Sequence, residues 1–201
     1  MILRKTGLYS LLFFVALFAG LAGCSDKEVA NKFNAIDITG AEFGKDFQLT
    51  DHTGKVRTLA DFKGSAVVMF FGYTNCPDVC PTTMSDMSQA LKLLGSDAHK
   101  VKVLFVTIDP ARDTQALLAK YVPAFNPDFL GLYGDEAATA RVAKEFRIFY
   151  QKNKSNSSGN YSVDHTAGTY VFDQSGKLRL FMKYGQGAES IAHDLRELLH
   201  S

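Results

Sequence analysis

Little net charge is available in this 201-residue sequence: 22 Lys and Arg stand against 21 Asp and Glu, a formal net charge of +1. The basic residues are scattered, so the chain lacks the positive stripe a phosphate-backbone binder needs, and nucleic acid is excluded as a partner. It also lacks a long apolar run: the stretch from Leu8 to Gly23 falls short of the ~20 residues a membrane helix uses. Cysteine is scarce, with three in the chain, and proline is missing after Pro127. That absence excludes a cis-proline loop anywhere in the C-terminal part. Neither an internal repeat nor a second domain is evident. What is present, 46% hydrophobic and 12% aromatic residues, suffices for one globular domain with a substantial core.

Residues 1–23 read as a lipoprotein signal peptide. Arg4 and Lys5 precede the apolar run, which ends in Leu21-Ala22-Gly23-Cys24, a tetrapeptide that resembles a bacterial lipobox. On that reading Cys24 is the first residue of the mature protein and carries a thioether lipid. The domain is then expected in the bacterial cell envelope, on the periplasmic side, held to the membrane through its N-terminal lipid. Ser25 to about Gly44 is polar and rich in Ala, Asn and Asp, so residues 24–44 are expected to be a tether and 45–201 the folded domain. Lipidation of Cys24 leaves Cys76 and Cys80 as the free thiols of the exported body, with no partner but each other. In an oxidising compartment such a pair is a disulfide, a redox couple or a metal site. A purely structural staple is disfavoured, because closing so short a loop removes little unfolded-state entropy.

From Asp46 onward strands and helices alternate. DFQLT and KVRTL flank a turn at DHTG, and SAVVMFFGY reads as a buried strand of β-branched and aromatic residues. Met84, Met87, Leu91 and Leu94 share one helical face, which predicts a helix from Thr82 to about Leu94. KVKVLFVTID is a second buried strand, TQALLAKYV a short helix and FLGLY a strand; DEAATARVAKEFR is a helix with acidic residues at its start and Arg147 at its end. NKSNSSGN, with Gly159, reads as an exposed loop or hairpin tip. GTYVFD and KLRLFM flank QSGK as a β-hairpin, and ESIAHDLRELL closes the chain as an amphipathic helix. This order predicts an α/β, thioredoxin-like fold: a central mixed sheet with helices on both faces and a C-terminal hairpin plus helix.

The chemistry concentrates in FFGYTNCPDVCPTTM, from Phe70 to Met84. Pro77 or Pro81 marks the helix entrance, since proline is tolerated in the first turn and not deeper. Thiolates placed there gain from unsatisfied N–H groups and the helix dipole, which should lower their pKa. Thioredoxin-type oxidoreductases separate their cysteines by two residues and oppose them with a cis-proline. Here three residues intervene, and the expected proline position, before GTYVFD, reads YSVDHTA with His165 in it. Two thiolates and an imidazole suit a soft or borderline ion, copper first and zinc second, although a structural zinc site would want a fourth ligand. His52, His99, His193 and His200 read as surface histidines. A peroxiredoxin-like site is disfavoured, because Tyr73 stands where a threonine or serine should precede the attacking cysteine.

GYTNCPDVCP, TIDPARDT (Thr107 to Thr114) and YSVDHTAGTYVFDQSGK together resemble the Sco/SenC family of membrane-tethered copper-binding proteins, over a match from about Phe43 to the C-terminus. The resemblance implies that Cys76, Cys80 and His165 bind copper, as Cu(I), Cu(II) or both. The leading reading is a metallochaperone that takes copper from an upstream donor, with an enzymatic thiol–disulfide activity left open. The recipient would be the dinuclear copper site in subunit two of cytochrome c oxidase or another copper-site acceptor. The alternatives are a thiol–disulfide oxidoreductase acting through Cys76 and Cys80 on that subunit's cysteines, and a copper or redox sensor. Asp78 and Asp164 match acidic family positions suited to tuning the site or touching a partner. Asp109, Pro110, Arg112 and Asp113 match a family loop whose expected role is turn formation and helix capping. Asn75, often His in relatives, and Thr166, commonly Ser, depart from the family pattern and are not expected to touch the ligands.

Overall fold

The computed structural model describes residues 32–154 and 160–201. The signal peptide, Cys24 with its lipobox, the first part of the tether and Gly159 lie outside the described residues. Among those described, no helix is long and apolar enough to cross a membrane.

The elements run β1 (Ile36–Asp37), β2 (Leu49–Asp51), β3 (Val56–Arg57), β4 (Ala66–Gly72), α1 (Val79–Leu94), β5 (Val101–Thr107), α2 (Gln115–Tyr121), β6 (Leu130–Tyr133), α3 (Glu136–Glu145), β7 (Tyr150–Lys152), β8 (Val163–His165), β9 (Thr169–Phe172), β10 (Leu178–Met182) and α4 (Ala188–Leu199). Eight strands form one mixed sheet in the order β1-β10-β9-β4-β5-β6-β2-β3, while β7 and β8 pair only with each other. At its centre β4, β5 and β6 are parallel, in a register running from Ala66 opposite Val101 to Gly72 opposite Thr107. On its other side β4 meets β9 antiparallel. The sheet therefore changes from parallel to antiparallel pairing beside β4.

All seven residues of β4 are buried, which requires cover on both faces. Phe70 and Phe71, being adjacent, point to opposite faces. The Phe70 ring meets Phe105, which in turn meets Tyr121 of α2; the Phe71 ring meets Phe146, just past α3, and Tyr170. Helix α1 lies on the Phe70 face, since a Cβ on Gly72 would collide with both Cys80 and Phe70, and α4 packs against α1. Caps match the sequence signals: the Thr114 hydroxyl accepts from the Leu117 N–H, and the Asp135 carboxylate from that of Ala138. Arg147 lies beyond α3 with φ of 52°, so it terminates the helix rather than serving as its last basic residue.

The N-terminal boundary moves from where the sequence put it. Residues 32–44, expected to be tether, are packed onto the domain: Phe33 and Ala35 are buried, and β1 pairs with β10. The N–H groups of Asn34 and Ala35 both donate to the buried Asp194 carboxylate of α4, each at 2.7 Å. The polar composition hid this, because a few apolar residues and one carboxylate 159 positions downstream of Ala35 do the anchoring.

Candidate metal centre

Gly72 ends β4, and the chain then turns through Tyr73 to Cys76, whose N–H donates to the Tyr73 carbonyl at 3.2 Å. Helix α1 begins at Val79, so Pro77 precedes it and Pro81 sits in its first turn, where no intrahelical N–H is needed. Asp78 at the N-cap position makes no side-chain cap. The Cys76 sulfur takes that place, accepting the first-turn N–H of Cys80 at 3.4 Å. Cys76 is partly exposed and Cys80 fully buried.

His165 arrives from the β7–β8 hairpin, as the last residue of a short strand rather than in a loop. The sequence pattern did not show the strands of this hairpin, which have two buried or half-buried residues inward, Val163 and Tyr150. His165 Nδ1 donates to the Thr166 carbonyl at 2.9 Å; a carbonyl can only accept, so Nε2 keeps a free lone pair. That nitrogen lies 3.8 Å from Cys80 Sγ. The ligand atoms of Cys76, Cys80 and His165 all fall within 4.8 Å of one another, the one such cluster among the described residues. An ion bonded to Cys80 and His165 at the roughly 2.3 and 2.0 Å usual for sulfur and imidazole ligands would see a 3.8 Å pair at about 120°, the trigonal angle. Three donors with that angle suit a low-coordinate, soft cation.

Burial sets the proton affinities. It pushes the Cys80 thiol well above its ordinary value, the opposite of the lowering expected from a helix entrance. A backbone hydrogen bond at Tyr73 pulls the other way, but desolvation of the fully buried sulfur outweighs it. Burial likewise lowers the His165 pKa, against the opposing pull of the Thr166 carbonyl and the Asp164 charge. Tyr73 and Phe70 meet the imidazole in edge-to-face contacts, with centroids at 6.0 and 6.3 Å.

A groove of about 340 Å³ opens beside the cluster, lined by Cys76, Pro77, Val163 and His165 among others, with Asp78 and Asp164 both exposed along it. Asp164 also accepts a hydrogen bond from the Asn153 side chain at 3.0 Å. Thr166, read as uninvolved, does touch a ligand, through its backbone carbonyl; its hydroxyl accepts the Phe149 N–H. Asn75 is exposed. Of the surface histidines, His52 is half-buried and its Nδ1 accepts the Gly131 N–H at 3.0 Å, joining the β2 turn to β6.

The segment after β5 does more than the turn and cap expected of it. The buried Asp113 carboxylate accepts the N–H and hydroxyl of Thr74 and the hydroxyl of Thr107, so it fixes the loop that leads to Cys76. Tyr73 was also missed from sequence: its hydroxyl accepts the Val163 N–H at 3.3 Å, tying the cysteine loop to β8. Gly72 was a second omission beside Tyr73. Only its contact with Cys80 reveals it, and no local signal distinguishes it from an ordinary strand-end glycine.

A sequence profile described as SCO1/SenC matches residues 36–200. The mitochondrial SCO2 homolog of Bos taurus is 37% identical over 153 residues, covering 75% of this chain but 58% of that protein, so the chain spans under two thirds of that relative's length. The SCO2-like protein of Rickettsia felis is 36% identical over 155 residues, covering 76% of this chain and 74% of the relative. Among solved structures, Bradyrhizobium japonicum ScoI with copper bound superposes with a TM-score of 0.72 at 40% identity, covering 78% of this chain and 99% of that one. With the profile running over nearly the whole described fold and through all three clustered ligands, the chain belongs to the SCO1/SenC family.

Proposed function

We propose that this chain is a copper metallochaperone in which Cys76, Cys80 and His165 hold the ion as cargo. It would pass that cargo to the dinuclear copper site of cytochrome c oxidase subunit two, or a similar acceptor, by ligand exchange. The observation that carries this reading is the trio itself: two sulfurs and a lone-pair nitrogen gathered within 4.8 Å, at a spacing suited to trigonal coordination. A site with few ligands, two of them partly exposed and lining a groove, lets an incoming ligand bind before an old one leaves. An upstream donor supplies the copper, and a lipid on Cys24 tethers the domain on the periplasmic side. The groove carboxylates Asp78 and Asp164 would face the partner.

The contrast between a partly exposed Cys76 and a buried Cys80 favours a second reading, a thiol–disulfide reductase of the acceptor's cysteines with Cys76 as the attacking thiol. Anaerobic Cu(I) titration under chelator competition separates the two. Loss of affinity in His165→Ala supports the chaperone. Disulfide turnover by the metal-free protein that is indifferent to His165→Ala supports the reductase.

A further inference from the structure

The β7–β8 hairpin that carries His165 shares no strand pairing with the central sheet. The position of the imidazole therefore depends on what fastens the hairpin to the body. Tyr73 supplies one fastening, through the Val163 N–H. Val163 itself is buried in the core, and Lys152 of β7 reaches Glu136 of α3 at 3.5 Å. A further set of contacts converges on the segment after β5. Arg112 Nη1 donates to the Tyr161 carbonyl at 2.8 Å, and the guanidinium carbon lies 3.6 Å from the centre of the Tyr161 ring, a stacked contact. Arg112 Nε donates to the buried Asp109 carboxylate, which accepts the Tyr161 hydroxyl on its other oxygen at 2.7 Å. Lys152, on β7, adds an ammonium 3.9 Å from the same carboxylate. Burial and the adjoining Asp109 charge push the Tyr161 hydroxyl up to about 12, so it remains a donor at neutral pH.

We propose that Arg112, closed into a ring with Asp109 and Tyr161, is a positioning residue that holds His165 within bonding distance of the metal. The latch grips the residue that leads into β8, four positions before His165, and makes no hydrogen bond to either thiol; toward the cysteine loop, the guanidinium carbon stands 5.7 Å from the centre of the Tyr73 ring. Its effect should therefore fall chiefly on one ligand of three. Arginine is required because one planar group meets a carboxylate, a carbonyl and a ring face together; a lysine at this position keeps the charge and loses the fork. Partners that orient a metal's imidazole ligand are typically worth about 10–100-fold in affinity.

This inference rests on the three-ligand copper reading, and a double-mutant cycle tests both. Cu(I) affinity is measured by chelator competition for the wild type, Arg112→Lys, His165→Ala and the double variant, together with the reduction potential of the metal-free Cys76–Cys80 pair. Arg112→Lys should lower affinity roughly 10-fold in the wild-type background and have no effect once His165 is gone. The thiol potential should not change. An undiminished loss in the His165→Ala background, a shifted thiol potential, or no loss at all overturns the latch. Wild-type affinity in His165→Ala overturns the copper reading itself, and the latch with it. Should Arg112→Lys not fold, Tyr161→Phe removes only the hydroxyl and should give a smaller loss in the same pattern.

Discussion

Cys80 Sγ stands 3.8 Å from His165 Nε2, with the imidazole's other nitrogen already committed to the Thr166 carbonyl. The thiol is the donor of this pair, and burial holds its proton on sulfur well into the alkaline range. A cation entering between the two atoms replaces that proton. His165 adds no second one at neutral pH, since burial lowers its pKa. Copper affinity at fixed chelator should thus rise with pH between about 6 and 8 by at least roughly tenfold per unit, the Cys80 proton alone accounting for that much. A flat profile would show Cys80 already ionised and contradict the effect of its burial.

The same burial separates the thiols kinetically. Cys80 has 0% exposure, while Cys76 is partly open to solvent. In the reduced, metal-free protein a small alkylating reagent should modify Cys76 at least about 10-fold faster than Cys80. Peptide mapping by mass spectrometry after timed quenching reads the ratio directly, and equal rates would mean that the first turn of α1 opens readily.

Gly72 marks where backbone and ligand come closest. A Cβ there would lie 2.8 Å from Cys80 Sγ and from the Phe70 ring, and 3.1 Å from Phe105. None of these is the free end of a flexible chain. Gly72→Ala should cost about 1–3 kcal/mol in stability and, by displacing the sulfur, weaken copper binding more than a comparable overpacking elsewhere. Denaturant unfolding and metal titration of the same variant check both halves.

How much of this was legible in the sequence follows from the range of the interactions involved. Strands β4 and β5, helix α1, the last hairpin and α4 carry their periodicity locally, and the motifs around Cys76, Cys80 and His165 pointed to three residues whose donor atoms the fold gathers. The packing of residues 32–44 was not legible, because it depends on Asp194 at the far end of the chain. Nor was the direction of the Cys80 shift: a helix start is visible in sequence, but the depth of the sulfur beneath β4 is not. The segment Thr107 to Thr114 read as turn chemistry because its partners, Thr74 and Tyr161, lie 39 and 49 residues away.

Asp194 provides a control that loosens the fold and spares the site. Its carboxylate accepts from the Asn34 and Ala35 N–H groups and from the Gln186 side chain, at 2.7 Å in each case. Asp194→Ala leaves these donors without an acceptor; the Ala35 N–H is the buried one, and such an orphan costs about 1–3 kcal/mol. Thermal unfolding should show about 1–3 kcal/mol lost, with copper affinity unchanged because none of these groups touches the ligands. A parallel fall in affinity would mean that the N-terminal segment supports the metal site.

Acid should find its first weak point at Asp51, on the opposite side of the sheet order from β9. Burial works to raise its pKa, but hydrogen bonds from Thr53, Arg57 and Lys55 outweigh it and hold the carboxyl at about 2, against an ordinary 3.8. The unfolded chain therefore takes up this proton first as pH falls. The stabilisation is fully present above about pH 4 and is lost on descending to about pH 2, an amount of roughly 2 kcal/mol. Asp51→Asn should be less stable at neutral pH, because the Arg57 ion pair at 2.7 Å is gone, yet flatter across that acid window. Urea unfolding at several pH values tests the slope: if the variant loses stability between pH 4 and 2 as steeply as the wild type, another carboxylate governs the acid limb.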